Sequence, residues 1–444
     1  MAAELAASER LNYLSKKQRA VSSRHSRQII SSTNGPSHRP GQQTVIQIAG
    51  GQSATYWDFQ NSYLKFTVLN ESANGTSAAL SSVGIGSAYD LIERLEILAD
   101  GQTLSNIEEY GVLVRQYQRL EMNENYRNGV GQVLFGSKSN NGVTTLPRTN
   151  SITFCMPLVL TPFFNVNKYI PLIGRSNIQI RITWASVRRS MNIAAANSTV
   201  SDGTILYGPI QMVCSMVRLS GEANQMVLQN TGGIFELITS DFRLARAQYN
   251  PSTQKSLAVN CGFAFSSLDR VSFSTYSEMT RDGGQATANM LNAQFFGDIA
   301  NFALSINGEE YPRKRIEVTG HATDTVEGNG AESLAEAIIS HRSLGNFNHE
   351  SLVDYATWCD KSATTNQSAA TAGTVFMIDT EAMQPHVGDT LYSGISTIGA
   401  TTHLLADIDP ASTRNVSLEL LIYGQFTTAL TLDMEGTQTW IVSV

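Results

Sequence analysis

The chain carries one phrase twice. Ile92-Glu-Arg-Leu95-Glu-Ile97-Leu-Ala-Asp100-Gly101-Gln-Thr-Leu104 returns 207 positions later as Ile299-Ala-Asn-Phe302-Ala-Leu304-Ser-Ile-Asn307-Gly308-Glu-Glu-Tyr311, close to half of the 444-residue length. Both copies are apolar runs closing in Asp-Gly or Asn-Gly, the dipeptides that supply two successive positive φ angles in a tight hairpin turn. A strand entering a hairpin is therefore expected twice. Downstream, Ser105-Asn-Ile-Glu108 and Ser333-Leu-Ala-Glu336 have the form of capping boxes, in which serine and glutamate side chains satisfy free amides at a helix start. Tyr110, Val114, Tyr117 and Leu120 then share one helical face, as do Leu334, Ile338 and His341. About twenty extra residues, from Pro312 to Ala331, delay the second helix, a length expected of a functional loop. The chain reads as two halves of one design, each long enough to bury its own core.

Outside the repeat a period of two dominates. Leu64, Phe66 and Val68 alternate with polar neighbours, and so do Ile178, Ile180, Ile182 and Trp184. Leu257, Val259, Cys261, Phe263 and Phe265 follow the same rule, as do Val416, Leu418, Leu420 and Ile422. Leu430, Leu432 and Met434 lead through Glu435-Gly436 to Trp440, Val442 and Val444. Such alternation marks half-buried antiparallel strands, and many of them with one helix per half indicate an all-β pair of sandwiches. Ser, Gly, Asn and Gln cluster between Gly221 and Gly233, which places a seam there. Loops are expected at Ser137 to Asn150, Ala194 to Gly203 and Lys361 to Gly373. Residues 44–232 and 233–444 are the expected domains.

Residues 1–43 form a basic arm: Arg10, Lys16, Lys17, Arg19, Arg24, Arg27 and Arg39 stand against Glu4 and Glu9. Leu5, Leu11 and Leu14 permit a short amphipathic helix in it. An arm of this kind docks on a partner, an anionic membrane face or nucleic acid, or else stays solvated as a tail.

The net charge of −7 excludes a simple nucleic-acid coat, which needs clustered Lys and Arg to neutralise phosphate. Cys155, Cys214, Cys261 and Cys359 are far apart with no CxxC pair, so free thiols and no zinc or redox site are expected. No apolar stretch approaches the ~20 residues of a membrane span, and the start lacks the layout of a signal peptide, so a soluble, non-secreted chain is expected. The sequons at Asn74 and Asn197 then read as loop composition.

Enzyme constellations fail on physical requirements. Gly131-Gln-Val-Leu-Phe-Gly136-Ser-Lys138 misplaces the lysine of a phosphate cradle, and Gly51-Gln-Ser53-Ala-Thr lacks the second glycine of a nucleophile elbow. His25, His38, His321, His341, His349, His386 and His403 show no ligand spacing. His349-Glu350 with Cys359-Asp360 offers no sign of thiolate stabilisation. Asp407 and Asp409 are better read as a turn than as a glycosidase pair. Neither a catalytic residue nor a cofactor is expected. The basic run Arg313-Lys314-Arg315 marks a loop that is either solvated or set against a neighbour's acidic surface.

Three passages resemble the double jelly-roll major capsid proteins of nucleocytoplasmic large DNA viruses, virophages and polinton-like viruses. The first is Ala88-Tyr-Asp-Leu-Ile92 to Ile97 with Asp-Gly-Gln-Thr-Leu104 and Tyr110-Gly-Val-Leu-Val. The second is Met156-Pro157-Leu158, Phe163-Phe164, Ile170-Pro171-Leu172 and the strand Asn177 to Trp184, and the third is Phe302 to Gly308. Thr413-Arg-Asn-Val-Ser-Leu stands where large-virus members carry Asn-Phe-Ser-Arg, which together with the compact length points to a small virus, virophage or polinton-like element. The resemblance implies two tandem eight-stranded jelly rolls per chain and three chains per pseudo-hexameric capsomer. It further implies an icosahedral shell around double-stranded DNA, made in the host cytoplasm or nucleus. The implied partners are other copies of the chain, penton and minor capsid proteins, and an inner membrane or DNA for the arm. Arg10, Lys16, Lys17, Arg19, Arg24 and Arg27 are the candidate arm contacts, and Arg313, Lys314 and Arg315 the candidate intersubunit loop. Two rivals remain: a carbohydrate- or receptor-binding sandwich using Trp57, Trp184, Trp358 or Trp440, and an amidase or glycosidase on the same fold. Trp184 and Trp440 fall in phase with apolar strand faces, which favours packing.

Overall fold

A computed structural model describes residues 23–72, 82–136, 144–166, 168–193, 200–277, 294–320, 330–341, 351, 353, 358–359, 373–381, 394–434 and 439–443. Alternating apolar residues build eight principal strands in the first half. They are β1 (Ser23–Ser31), β2 (Gln43–Ile48), β3 (Thr55–Asn70), β4 (Ile92–Ala99), β5 (Gln102–Glu108), β6 (Ser151–Met156), β7 (Ile178–Trp184) and β8 (Gln211–Leu219). They pair antiparallel in two sheets, ordered β1-β8-β3-β6 and β2-β7-β4-β5.

The second half repeats this with β9 (Ile234–Tyr249), β10 (Ser256–Asn260), β11 (Leu268–Ser277), β12 (Ile299–Ile306), β13 (Glu309–Glu317), β14 (Phe376–Asp379), β15 (Thr402–Ile408) and β16 (Leu418–Asp433). Its sheets run β9-β16-β11-β14 and β10-β15-β12-β13, the first half's order with eight added to every label. Two four-stranded sheets crossed in this order make a jelly roll. The chain is two of them in tandem.

The doubled phrase lands where expected. β4 and β12 have the same length and the same succession of buried and half-buried positions. Each turns through two left-handed residues, Asp100 (φ 47°) with Gly101 (φ 87°) and Asn307 (φ 52°) with Gly308 (φ 87°). Inward-facing residues fill each sandwich. In the first, Phe66 packs against Phe154, Trp184 and Tyr207; in the second, Phe273, Phe302 and Phe376 form one triangle of rings.

Several local expectations are corrected. The arm expected through residue 43 becomes β1 at Ser23, the outer strand of the first sheet, because it pairs along its whole length with β8. Neither capping box caps a helix. Ser105 to Glu108 lie in β5 and pair with β4, while Ser333 sits inside the second helix and donates its hydroxyl proton to the carbonyl of Gly330. The helices themselves exist: α1 (Tyr110–Glu121) and α3 (Ala331–Ile339), separated by α2 (Gly221–Thr231) at the expected seam. α1 and α3 both start from a left-handed residue, Glu109 (φ 52°) and Gly330 (φ 61°). A side chain at residue 330 would lie 2.5 Å from Cys359 Sγ, so glycine is required there. Glu109 accepts a conformation costing about 1 kcal/mol or more, for reasons that lie across the junction between the rolls.

Candidate functional site

Groups that could do chemistry are occupied structurally. The Cys359 thiol is buried, and burial pushes its pKa up to about 12, the reverse of an activated thiolate. His349, Glu350 and Asp360 lie outside the described residues. Asp407 belongs to β15 and pairs with Arg315 at 2.8 Å, whereas Asp409 does form a turn, accepting the amide of Ala411. Among the described residues no group of three His, Cys, Asp or Glu side chains converges as metal ligands would. All four tryptophans are buried, at most 2% exposed, so none offers a face to a sugar.

The polar groups concentrate where the two rolls meet. α1 follows β5 and is buried on nearly every side, although it carries Arg115, Gln116 and Arg119. Such a helix is tolerable only if its polar atoms find partners. Arg115 pairs with buried Asp90 within the first roll, where burial outweighs the arginine and leaves the carboxyl at about 6. Gln116 reaches the second roll: its amide donates to Ser274 at 2.6 Å and its carbonyl accepts from Ser272 at 2.9 Å. Tyr117 donates to Gln425 at 2.8 Å and sets its ring edge-on to Phe242 and His341.

Beside the helix, β5 lies against β9. Ser105 hydrogen bonds Asp241 at 2.8 Å, and Arg246 pairs with Glu108 and Glu109, each at 3.1 Å. Glu109 also pairs with Arg189, while its carbonyl accepts from Tyr423 at 3.0 Å. Burial nevertheless raises the Glu109 carboxyl, the two arginines opposing it. The left-handed turn at Glu109 thus aims its side chain and carbonyl at groups from both rolls. At the other end of the junction Phe163 packs on Trp440, with ring centres 5.9 Å apart, and Thr239 donates to the Pro162 carbonyl at 2.7 Å.

The same two kinds of strand are open on the outer flanks. β1, the counterpart of β9, is exposed or half-exposed at every residue. β13, the counterpart of β5, exposes most of its length, whereas β5 buries Leu104, Ser105 and Ile107. Strand register makes the correspondence residue-specific. Arg94 pairs with Glu108 and its repeat Asn301 with Glu317, so Glu317 is the counterpart of Glu108. Between them, Ile97 opposes Ser105 and Leu304 opposes Tyr311, which leaves Pro312 to Arg315 opposite a single residue where the first roll has only Asn106.

Arg313, Lys314 and Arg315 therefore form a bulge in an edge strand rather than a free loop. Lys314 holds Glu317 at 3.1 Å, and Arg315 holds Glu310 at 2.9 Å as well as Asp407. Arg24 and Arg27 lie on β1; Arg24 stands opposite Arg218 across the ladder, and Arg27 donates to Tyr63. Arg10, Lys16, Lys17 and Arg19 lie outside the described residues. Gln116, Asp241 and Arg246 carry no signal of this role in the sequence. Gln116 and Arg246 follow hydrophobic patterning in no way, and only the polar content of an otherwise core-like helix hinted at a second covering surface.

No protein-family model matches the chain, and no curated protein matches it by sequence. Solved structures do match by shape. A chain of the PBCV-1 virus capsid superposes with a TM-score of 0.62 at 12% identity, covering 96% of this chain and 98% of its own. The Faustovirus major capsid protein gives 0.54 at 7% identity over 94% and 91%. The mavirus major capsid protein gives 0.50 at 11% identity over 100% and 96%. At such identities the likeness is one of fold, and it extends over both rolls: this chain has the double jelly-roll fold of these viral capsid chains.

Proposed function

We propose that the chain is a viral major capsid protein, acting as a structural subunit of a virion shell. Three copies form a pseudo-hexameric capsomer, and capsomers tile an icosahedral shell around a double-stranded DNA genome. The full-length likeness to capsid chains supports the structural role. The observation that carries the assembly is the mismatch between covered and open strands. Within one chain β5 of the first roll covers β9 of the second; the equivalent pair, β13 and β1, is left bare. One bare surface of each kind is the requirement for a head-to-tail interface that closes into a ring.

Charge bears on the β1 side of that pairing. β1 presents Arg24 and Arg27 with Arg218 alongside, and like charges facing each other across a ladder call for an anionic neighbour. β13 offers Glu309, and Glu317 shared with its own Lys314, beside Arg313 and Arg315. Arg246 lies on β9 and Arg27 on β1, so each of these two counterpart strands carries an arginine within its length. In this reading the contact of Glu108 with Arg246 inside the chain has its equivalent between copies in Glu317 of one and Arg27, on β1, of the next. Such a subunit works through interface area, with obligate interfaces commonly burying ~2,000 Å² or more, and needs no activated side chain. Penton and minor capsid proteins complete the partners in this reading.

Native mass tests the proposal. The 48.3 kDa chain is expected to run as a trimer of about 145 kDa and to enter larger assemblies on concentration. A monomer that persists at high concentration would overturn it.

A further inference from the structure

A groove of about 570 Å³ opens beside the seam, lined by Tyr56 and Lys168, by Val217 and Leu219 of β8, by Val227 and Thr231 of α2, and by the first residues of β9. Its rim is apolar and uncovered: Tyr169 is 54% exposed, Ile234 50% and Ile238 36%. Isolated exposed apolar residues are ordinary, but several converging on one concave surface of this size mark a place where something binds. Strand register shows where the chain enters. Ser23, the first residue of β1, stands opposite Leu219, and His25 opposite Val217, both of which line the groove. The residues before Ser23 thus leave β1 at the groove's edge.

We infer that the groove is the seat of this chain's own residues 1–22, with Leu5, Leu11 and Leu14 as the inserted side chains. Leu14 is nine residues from Ser23, a reach of about 13 Å if helical and about 30 Å if extended. An amphipathic segment laid in a hydrophobic groove is a common recognition mode, and it needs no partner here because the segment is tethered at the rim. Charge supports the choice. Lys16, Lys17 and Arg19 follow the leucines, while Glu236 lines the groove and Asp433 stands opposite Ile234 in the ladder. Lys168, which donates to the Glu236 carbonyl, is the single cation among the lining residues and Glu236 the single anion, so Asp433 gives this edge its negative balance.

The test uses the full-length chain with Cys155→Ser, since Cys155 is the most accessible of the native thiols. Leu14→Cys is combined with Ile234→Cys, and separately Leu11→Cys with Tyr169→Cys; both groove positions are exposed enough to substitute without disturbing the core. Mild oxidation of a mixture of tagged and untagged chains is expected to form a disulfide within one chain. In parallel, deleting residues 1–22 is expected to increase binding of an apolar dye, and Ile234→Asp with Ile238→Asp to abolish that increase. Disulfides that join tagged to untagged chains would overturn the inference in favour of a second copy's segment. So would the absence of any disulfide together with dye binding unchanged by the deletion. Because the readout is a bond within one chain, it is independent of whether trimers form.

Discussion

Asp241 shows how a single carboxyl can be sensitive to its place between two rolls. It is buried against β5 with Ser105 and the Phe242 amide as hydrogen-bond partners, and burial lifts it from an ordinary 3.8 to about 7. An acid whose pKa is higher when folded binds more protons in the folded state than in the unfolded one, so stability falls as pH rises from about 4 to about 7. At ~1.4 kcal/mol per pH unit the full penalty is at most about 4 kcal/mol above pH 7. Asp241→Asn is therefore expected to match the parent in thermal unfolding near pH 4 and to gain several degrees at pH 8. The difference between the two proteins isolates this residue, since Glu381 and Asp90, which burial also raises, are common to both. Parallel melting curves across that range would contradict the assignment. Little of this was legible in the sequence, where Asp241 is one acid in a strand. Asp100-Gly101 and Asn307-Gly308 were legible because turn chemistry is local, and Glu109 was not, because its left-handed backbone is held by Arg189, Arg246 and Tyr423 from distant segments.

Elements were read well where the signal repeats along the element and poorly where it rested on four residues. Alternation located β3 and β7, since a strand with one buried face must alternate, and it located β16 too although the first half of that strand is buried on both faces. Ser105 and Glu108 satisfied the capping pattern while serving as edge-strand residues, and a four-residue pattern cannot tell those states apart. β1 was hidden for a different reason: with both faces open it has no apolar alternation to display. That absence becomes informative beside β9, whose alternation is marked at its start and which rests against the first roll. If β13 of one copy covers β1 of the next, Arg27→Glu is expected to weaken the trimer several-fold at low salt, and Glu317→Arg in the same chain to restore it. Exposed pairs contribute about 0.2–1 kcal/mol and are screened by salt, so the effect should fade as salt is raised. Sedimentation at graded concentration measures both. A double variant no better than Arg27→Glu alone would remove this pairing from the interface.

At the scale of the molecule, duplication was visible but the way the halves share a core was not. The first roll owns α1 by sequence, yet Gln116 and Tyr117 find their hydrogen-bond partners on β11 and β16 of the second. If the rolls separated, an amide and a hydroxyl would exchange those bonds for water at a net cost of about 0.5–1.5 kcal/mol each, and the ring contacts of Tyr117 with Phe242 and His341 would open as well. Splitting the chain at the seam is thus unfavourable in a way that two domains on a linker would not be. The full chain is expected to unfold in one calorimetric transition, not two. Gln116→Ala should lower that transition by a few degrees, at about 2–4 °C per kcal/mol for a large chain, and the second roll should melt with the first. Two resolved transitions in the parent protein would show that the rolls are thermodynamically independent, and the shared helix would then be a contact rather than a common core. The distinction bears on assembly, because a ring built by repeating one roll-to-roll contact needs that contact to be as rigid between copies as it is within one.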